Sequence, residues 1–236
     1  MTTILVLGFL VGLQHSMEAD HLAAVASLAT RSRSLVESAR QGAVWGLGHT
    51  ITLFLFGGAV LVADSFVPER LATALEFAVG VMLVLLGADV LRRVVRERVH
   101  FHAHRHGDTK HFHAHAHTQD ADHASDPHEH RHPERQSWRP LLVGMMHGMA
   151  GSAALIVLAL GAVQNPWQGL AYIAIFGIGS VAGMAMVGAA IGLPLRYSPR
   201  GLTWVHNGLK TAVGLLTIGL GGYVLYDTGI AGGLFA

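Results

Sequence analysis

From Pro140 to Leu195 the chain runs for 56 residues without one Asp, Glu, Lys or Arg. A bilayer's hydrocarbon core is crossed by about 20 helical residues at about 1.5 Å of rise each, so this run is too long for one crossing. It must fold back on itself, and Asn165-Pro166 supplies the break. Charge is just as sparse elsewhere. Gln41 to Ala63 and Thr211 to Tyr226 carry none, and Leu71 to Leu91 carries only Glu76 and Asp89. With 13% charged residues, against about 25% in ordinary soluble domains, too little polar surface remains to wrap a water-soluble globule. A soluble enzyme is thereby excluded, and no catalytic constellation stands out.

The expected fold is an all-α polytopic membrane protein with six transmembrane helices, over 3–29, 41–63, 71–92, 140–162, 168–193 and 204–226. No basic residue precedes the first apolar stretch and no small-residue cleavage site follows it, which predicts a retained helix and not a signal peptide. Fifteen of the 16 Lys and Arg fall in or beside the first, third and fifth connections, and only Arg70 lies in the second. The positive-inside rule then puts those three connections in the cytoplasm and both termini outside.

The two halves echo each other. Val11-Gly12-Leu13-Gln14-His15-Ser16-Met17 aligns with Val143-Gly144-Met145-Met146-His147-Gly148-Met149, identical at four of seven positions. Further on, Trp45-Gly46-Leu47-Gly48 falls on Phe176-Gly177-Ile178-Gly179, Ala78-Val79-Gly80 on Ala212-Val213-Gly214, and Gly87 on Gly221. Three crossings per unit insert the halves in opposite directions, the plan of many secondary transporters. Residues 1–94 form the first three-helix repeat, 95–138 a histidine-rich cytoplasmic loop, and 139–236 the second repeat. Glu76 and Lys210 take equivalent places in helices three and six, where an ion pair between the halves is one reading.

The 17 histidines divide unevenly: 12 lie between His100 and His132, and His15, His21, His49, His147 and His206 lie in or at helices. Ionisable side chains inside a membrane are costly, so His15, Glu18, Asp20 and His21 should face a cavity or one another. At 100° per residue His15 points about 140° away from Asp20 and about 120° from His21, so a continuous helix cannot aim all three at one ion. Either His15 serves a different partner or the helix unwinds here, which membranes tolerate where freed backbone lines a cavity; local unwinding, near Gly12 or within the motif, is the expectation. Gly46 and Gly48 let another helix approach near His49, as Gly144 and Gly148 do near His147. Imidazole with carboxylate suits Ni²⁺, Co²⁺ or Zn²⁺, whereas Ca²⁺ or Mg²⁺ would call for more oxygen. The chain has no cysteine, so thiolate sites and disulfides are excluded. Met145, Met146 and Met149 read as packing residues.

Between His100 and His117 histidine alternates with other residues. The loop's composition cannot build a core, which predicts disorder without ligand and unselective binding of divalent transition metals. In the cytoplasm it would buffer ions after entry or gather them before export.

His15-x4-Asp20-His21 in one membrane helix, followed by Gly46-x-Gly48-His49-Thr50 in the next, resembles the two leading signatures of the nickel/cobalt transporter family. His147-Gly148-Met149-Ala150-Gly151-Ser152-Ala153-Ala154 is similar to a segment of the related urease-accessory, UreH-like branch. The further Asp-Thr-Ala-Thr-Glu signature of the larger eight-helix permeases is absent. The resemblance implies translocation of Ni²⁺ or Co²⁺ across a bacterial inner membrane, with His15, Asp20, His21 and His49 on the ion path and His147 beside them. It implies no bound cofactor, since the ion is cargo. The partners implied are the divalent ion, the lipid bilayer and a cytoplasmic metallochaperone, with no nucleic acid. Secondary uptake is the expected activity; efflux and a non-transporting accessory role in urease or hydrogenase maturation are the competing readings.

Overall fold

The computed structural model describes residues 2–32, 34–63, 68–96, 99–106, 109–116, 138–150, 166–197 and 203–235. In chain order these form α1 (Thr2–His15), α2 (Ala19–Ala29), α3 (Leu35–Val62), α4 (Glu69–Arg96), β1 (Val99–His106), β2 (Thr109–Ala116), α5 (Trp138–Ala150), α6 (Pro166–Tyr197) and α7 (Thr203–Tyr226), followed by a π-helical turn, Asp227–Ala231. Among the described residues, four stretches are long and apolar enough to cross a membrane: Leu35–Val62, Glu69–Arg96, Trp167–Leu195 and Val205–Ala231. Leu55, Leu85, Leu216 and Ile230 are each more than 60% exposed on the outer surface. So broad an apolar exterior is a liability in water and ordinary against lipid. The chain is a multi-pass membrane protein.

The first expected helix is two helices. α1 stops at His15, and Ser16-Met17-Glu18 turns before α2 begins at Ala19, with Glu18 in extended backbone at φ −63° and ψ 149°. The unwinding expected near Gly12 or within the motif lies within the motif. Freed backbone groups are satisfied locally: the Met17 amide donates to the Gln14 carbonyl at 2.9 Å, and the Glu18 amide to the His15 carbonyl at 3.1 Å.

Two other boundaries differ from expectation. α3 starts at Leu35 instead of Gln41, because the Ser34 hydroxyl caps it by accepting from the Glu37 amide at 3.1 Å. The histidine-rich loop is not wholly irregular: β1 and β2 pair antiparallel, with His100 opposite His115, His102 opposite His113 and His104 opposite His111. Residues alternating with period two match a strand. The second half of the expected fourth helix, 151–162, lies outside the described residues, as do the histidines from His117 to His132.

α2 is the centre of the bundle. Its Ala24, Val25 and Leu28 are buried against Trp45 of α3, Val79 and Leu83 of α4, and Met184 of α6. A second core joins Leu53 and Leu61 of α3 to Tyr172, Ile173 and Phe176 of α6. Because lipid gives little hydrophobic drive between helices, close backbone approach must supply the packing energy. It does so at glycines. A Cβ on Gly12 would overlap the Phe176 carbonyl and crowd the Ser180 amide, and one on Gly144 would overlap the Trp45 carbonyl and crowd the His49 amide. The α4–α7 seam repeats the pattern, with Gly80 against Gly221 and Leu225, and Gly214 against Gly87 and Leu91. At the far end of α2, Arg31 pairs with Asp89, which Arg93 also reaches at 3.2 Å. The start of α2 shares a cavity with Glu76 and Val79, so α2 advances alongside α4.

Candidate metal site

The break between α1 and α2 brings together the five residues that the sequence singles out. His15 ends α1, Asp20 and His21 open α2, His49 comes from the middle of α3, and His147 from α5. Ring centroids lie 4.2 Å apart for His15 and His21, 5.1 Å for His21 and His49, 5.4 Å for His15 and His49, and 4.4 Å for His21 and His147. His21, His49 and His147 are at most 2% exposed. Candidate ligand atoms of His15, His21 and His49 all lie within 4.8 Å of one another, as do those of Asp20, His21 and His147.

Asp20 does something its place in a ligand motif does not announce. One carboxylate oxygen accepts from His21 Nδ1 at 2.8 Å and the other from His147 Nε2 at 2.9 Å. Glu18, in the unwound turn, likewise accepts from His15 Nδ1 at 2.8 Å. Each of these three imidazoles therefore has one nitrogen held by a carboxylate. Among the described residues, the opposite nitrogens, His15 Nε2, His21 Nε2 and His147 Nδ1, are buried without a hydrogen-bond partner, as are both nitrogens of His49. A carboxylate on one imidazole nitrogen fixes the tautomer and leaves the other lone pair for a metal. Buried nitrogens left unpaired cost on the order of 1–3 kcal/mol each, which a coordinated cation would relieve.

The surroundings include residues that spacing alone did not flag. Trp45 stacks on His49 with centroids 5.7 Å apart and 16° between planes, and it lies 5.4 Å from His21. Phe176 closes the side toward α6, 5.3 Å from His15. Position i−4 from a buried His on a helix was the available signal for Trp45. Met17, in the turn between α1 and α2, is 57% exposed.

A cavity of about 260 Å³ opens onto the site, lined by His15, Glu18, Asp20, His21 and His147 and by Glu76, Tyr223 and Asp227. Its four carboxylates make it acidic. Glu76 and Lys210 do not pair across the halves: Glu76 lines this cavity, and Lys210 lines another near Asp89.

Residues 22–223 match the family described as the cytochrome C biogenesis protein transmembrane region. The chain is 32% identical over 235 residues to the urease accessory protein UreH of Bacillus sp. (strain TB-90), covering 100% of this chain and 96% of that one. It is 29% identical over 219 residues to the chloroplast protein FOR GROWTH AND FERTILITY 1 of Arabidopsis thaliana, covering 91% of this chain and 56% of the plant protein. The second chloroplast protein of that name, FOR GROWTH AND FERTILITY 2, is 25% identical over 216 residues, with 54% of its length covered. The chain thus spans about half the length of the plant relatives and nearly all of the bacterial one. No solved structure matches it. The extent of these matches establishes that the chain belongs to the cytochrome C biogenesis protein transmembrane-region family, with the urease accessory protein UreH as a full-length relative.

Proposed function

We propose that the protein is a secondary transporter that takes up Ni²⁺, or Co²⁺, through the site between α1 and α2. The observation that carries this reading is the set of buried imidazole nitrogens without partners among the described residues, His15 Nε2, His21 Nε2 and those of His49, converging from the broken helix and α3. Three imidazoles suit a borderline divalent ion. In this reading Asp20 and Glu18 orient ligands more than they ligate, and His147, held by Asp20, is a fourth nitrogen beside the trio.

Alternating access between two inverted halves is supported by how the helix contacts exchange. Gly12 on Phe176 and Ser180 has its counterpart in Gly144 on Trp45 and His49, with each residue replaced by its sequence-aligned partner. Gly80 on Gly221 and Gly214 on Gly87 form a second exchanged pair. A pseudo-two-fold axis between the halves generates such reciprocity. The distribution of charge supports the inward direction. The acidic cavity reaches the histidines from the end of the bundle opposite Arg92, Arg93, Arg96 and Arg139. With the basic end cytoplasmic, that cavity is an external mouth that would concentrate cations.

Radioactive nickel accumulation in cells expressing the protein tests the reading. Net uptake abolished by His21→Ala and His49→Ala supports it, and faster loss from loaded cells would point to efflux instead. The full-length similarity to a protein named a urease accessory protein favours a second reading. There the same site holds nickel for delivery without moving it across the bilayer, and expression changes neither influx nor loss.

A further inference from the structure

The residues gathered at the α1–α2 break are spread too widely for one ion. A borderline divalent ion bonds imidazole nitrogen at about 2.0–2.1 Å, so two of its ligand atoms stand at most about 4.2 Å apart. Among the described residues the candidate ligand atoms fall instead into two triads, His15, His21 and His49 in one and Asp20, His21 and His147 in the other. His21 is the member they share. The rings of His49 and His147 have centroids 5.8 Å apart, while each lies nearer to the ring of His21, at 5.1 and 4.4 Å.

The triads differ in access. Asp20, His21 and His147 line the acidic cavity, and the Asp20 side chain is 31% exposed. His49 does not line that cavity and has no exposed surface. Trp45 stacked on His49 and Phe176 beside His15 wall the second triad. An ion arriving through the cavity therefore meets a carboxylate and two imidazoles before it meets three imidazoles. The first triad is already spaced for it. Asp20 oxygens stand 2.8 Å from His21 Nδ1 and 2.9 Å from His147 Nε2, close to the about 3.0–3.4 Å between neighbouring ligands around such an ion.

His21 serves the two triads with opposite nitrogens. Nδ1 lies against Asp20, and Nε2 is buried without a partner among the described residues. A neutral imidazole has one proton and one lone pair. With the ion on Nδ1 the proton sits on Nε2; with the ion on Nε2 it sits on Nδ1 and bonds Asp20. The ring can hold an ion on either side but not on both.

We infer that the cargo ion occupies two successive, mutually exclusive positions, first on Asp20, His21 and His147 and then on His15, His21 and His49, with His21 passing it across. This rests on the reading of the cluster as a transport site. The test uses the full-length chain in detergent with the twelve histidines from His100 to His132 replaced by Asn, so that the helical histidines alone report, and Ni²⁺ as the probe. Equilibrium dialysis gives stoichiometry and affinity, X-ray absorption at the nickel edge counts imidazoles, rapid filtration gives the loading rate, and Tm reports folding. This background should hold one ion per chain on three imidazoles. His49→Ala should hold one ion at least tenfold more weakly, on two imidazoles and a carboxylate. His147→Ala should keep three imidazoles and load at least tenfold more slowly. Two ions per chain, or four imidazoles on one ion, would overturn the inference, as would the same imidazole count and loading rate in both variants. Should a variant fail to fold, the stoichiometry and imidazole count of the background decide alone. Nickel entry into liposomes reports separately on transport: entry with four imidazoles on the ion would sink only the two positions, and the two-position pattern without entry would sink only the transport reading.

Discussion

Asp20→Asn isolates the step on which the site's chemistry rests. In the wild-type geometry the two Asp20 oxygens accept from two different imidazoles, His21 Nδ1 at 2.8 Å and His147 Nε2 at 2.9 Å. Asn keeps the shape but offers one acceptor and one donor. One imidazole must then lose its acceptor or face an N–H donor with its own. That imidazole rotates or changes tautomer, and its free nitrogen no longer points where the others converge. Loss of a carboxylate that orients a ligating His typically costs about 10–100-fold in metal affinity, or about 1.4–2.8 kcal/mol at 25 °C. Because the side chain is only part-buried at 31% exposure, the helices should survive, with Tm falling by a few degrees at most. Equilibrium binding of radioactive nickel to the purified protein, alongside a melting curve, reads both quantities. Wild-type affinity in the variant would refute the orienting role, and so would an affinity loss matched by collapse of the melting transition.

Other outcomes follow from the same geometry. Gly144→Ala should destabilise the protein by about 1–3 kcal/mol, because its Cβ would overlap the Trp45 carbonyl. Gly219→Ala meets nothing within 4 Å and should be neutral or stabilising by about 0.5–1 kcal/mol, so equal melting temperatures for the two would contradict the packing account. Removing charge from the acidic cavity with Glu76→Gln/Asp227→Asn should raise the KM for nickel and flatten its dependence on ionic strength while leaving kcat nearly intact; a loss confined to kcat would count against a capture role. Imidazole binds metal only when neutral, so acidification that protonates the site should release bound nickel, read by equilibrium binding of radioactive nickel across a pH series; binding undiminished at a pH that protonates every histidine would argue against histidine ligation.

The helical segments were legible because a membrane leaves a coarse signature: no charge for the length of a crossing. The break in the first segment was also legible, since helix geometry forbids His15 and His21 from meeting on a continuous helix, and the turn at Ser16-Met17-Glu18 is where that conflict is resolved. His49 and His147 could be read from the glycines beside them, which admit the neighbouring backbone. What sequence could not give was the division of labour within the motif. Asp20 looked like a ligand, and only the positions of His21 and His147 on either side show both its oxygens engaged. The two cavities were equally hidden, because Glu76 meets Asp227, and Arg31 meets Asp89, across separations that periodicity does not encode. Ser34-x-x-Glu37 is a capping signature that sets the start of α3 ahead of the uncharged run from Gln41.

The central claim is that the imidazoles at the α1–α2 break carry a metal ion across the bilayer. Purified protein reconstituted in liposomes and supplied with radioactive nickel outside tests it most directly, with His49→Ala as the paired variant. The account predicts saturable nickel entry in the wild type and none above empty liposomes in the variant, with both proteins melting as folded. Equal entry through both, or tight nickel binding by the wild type with no entry at all, would contradict it.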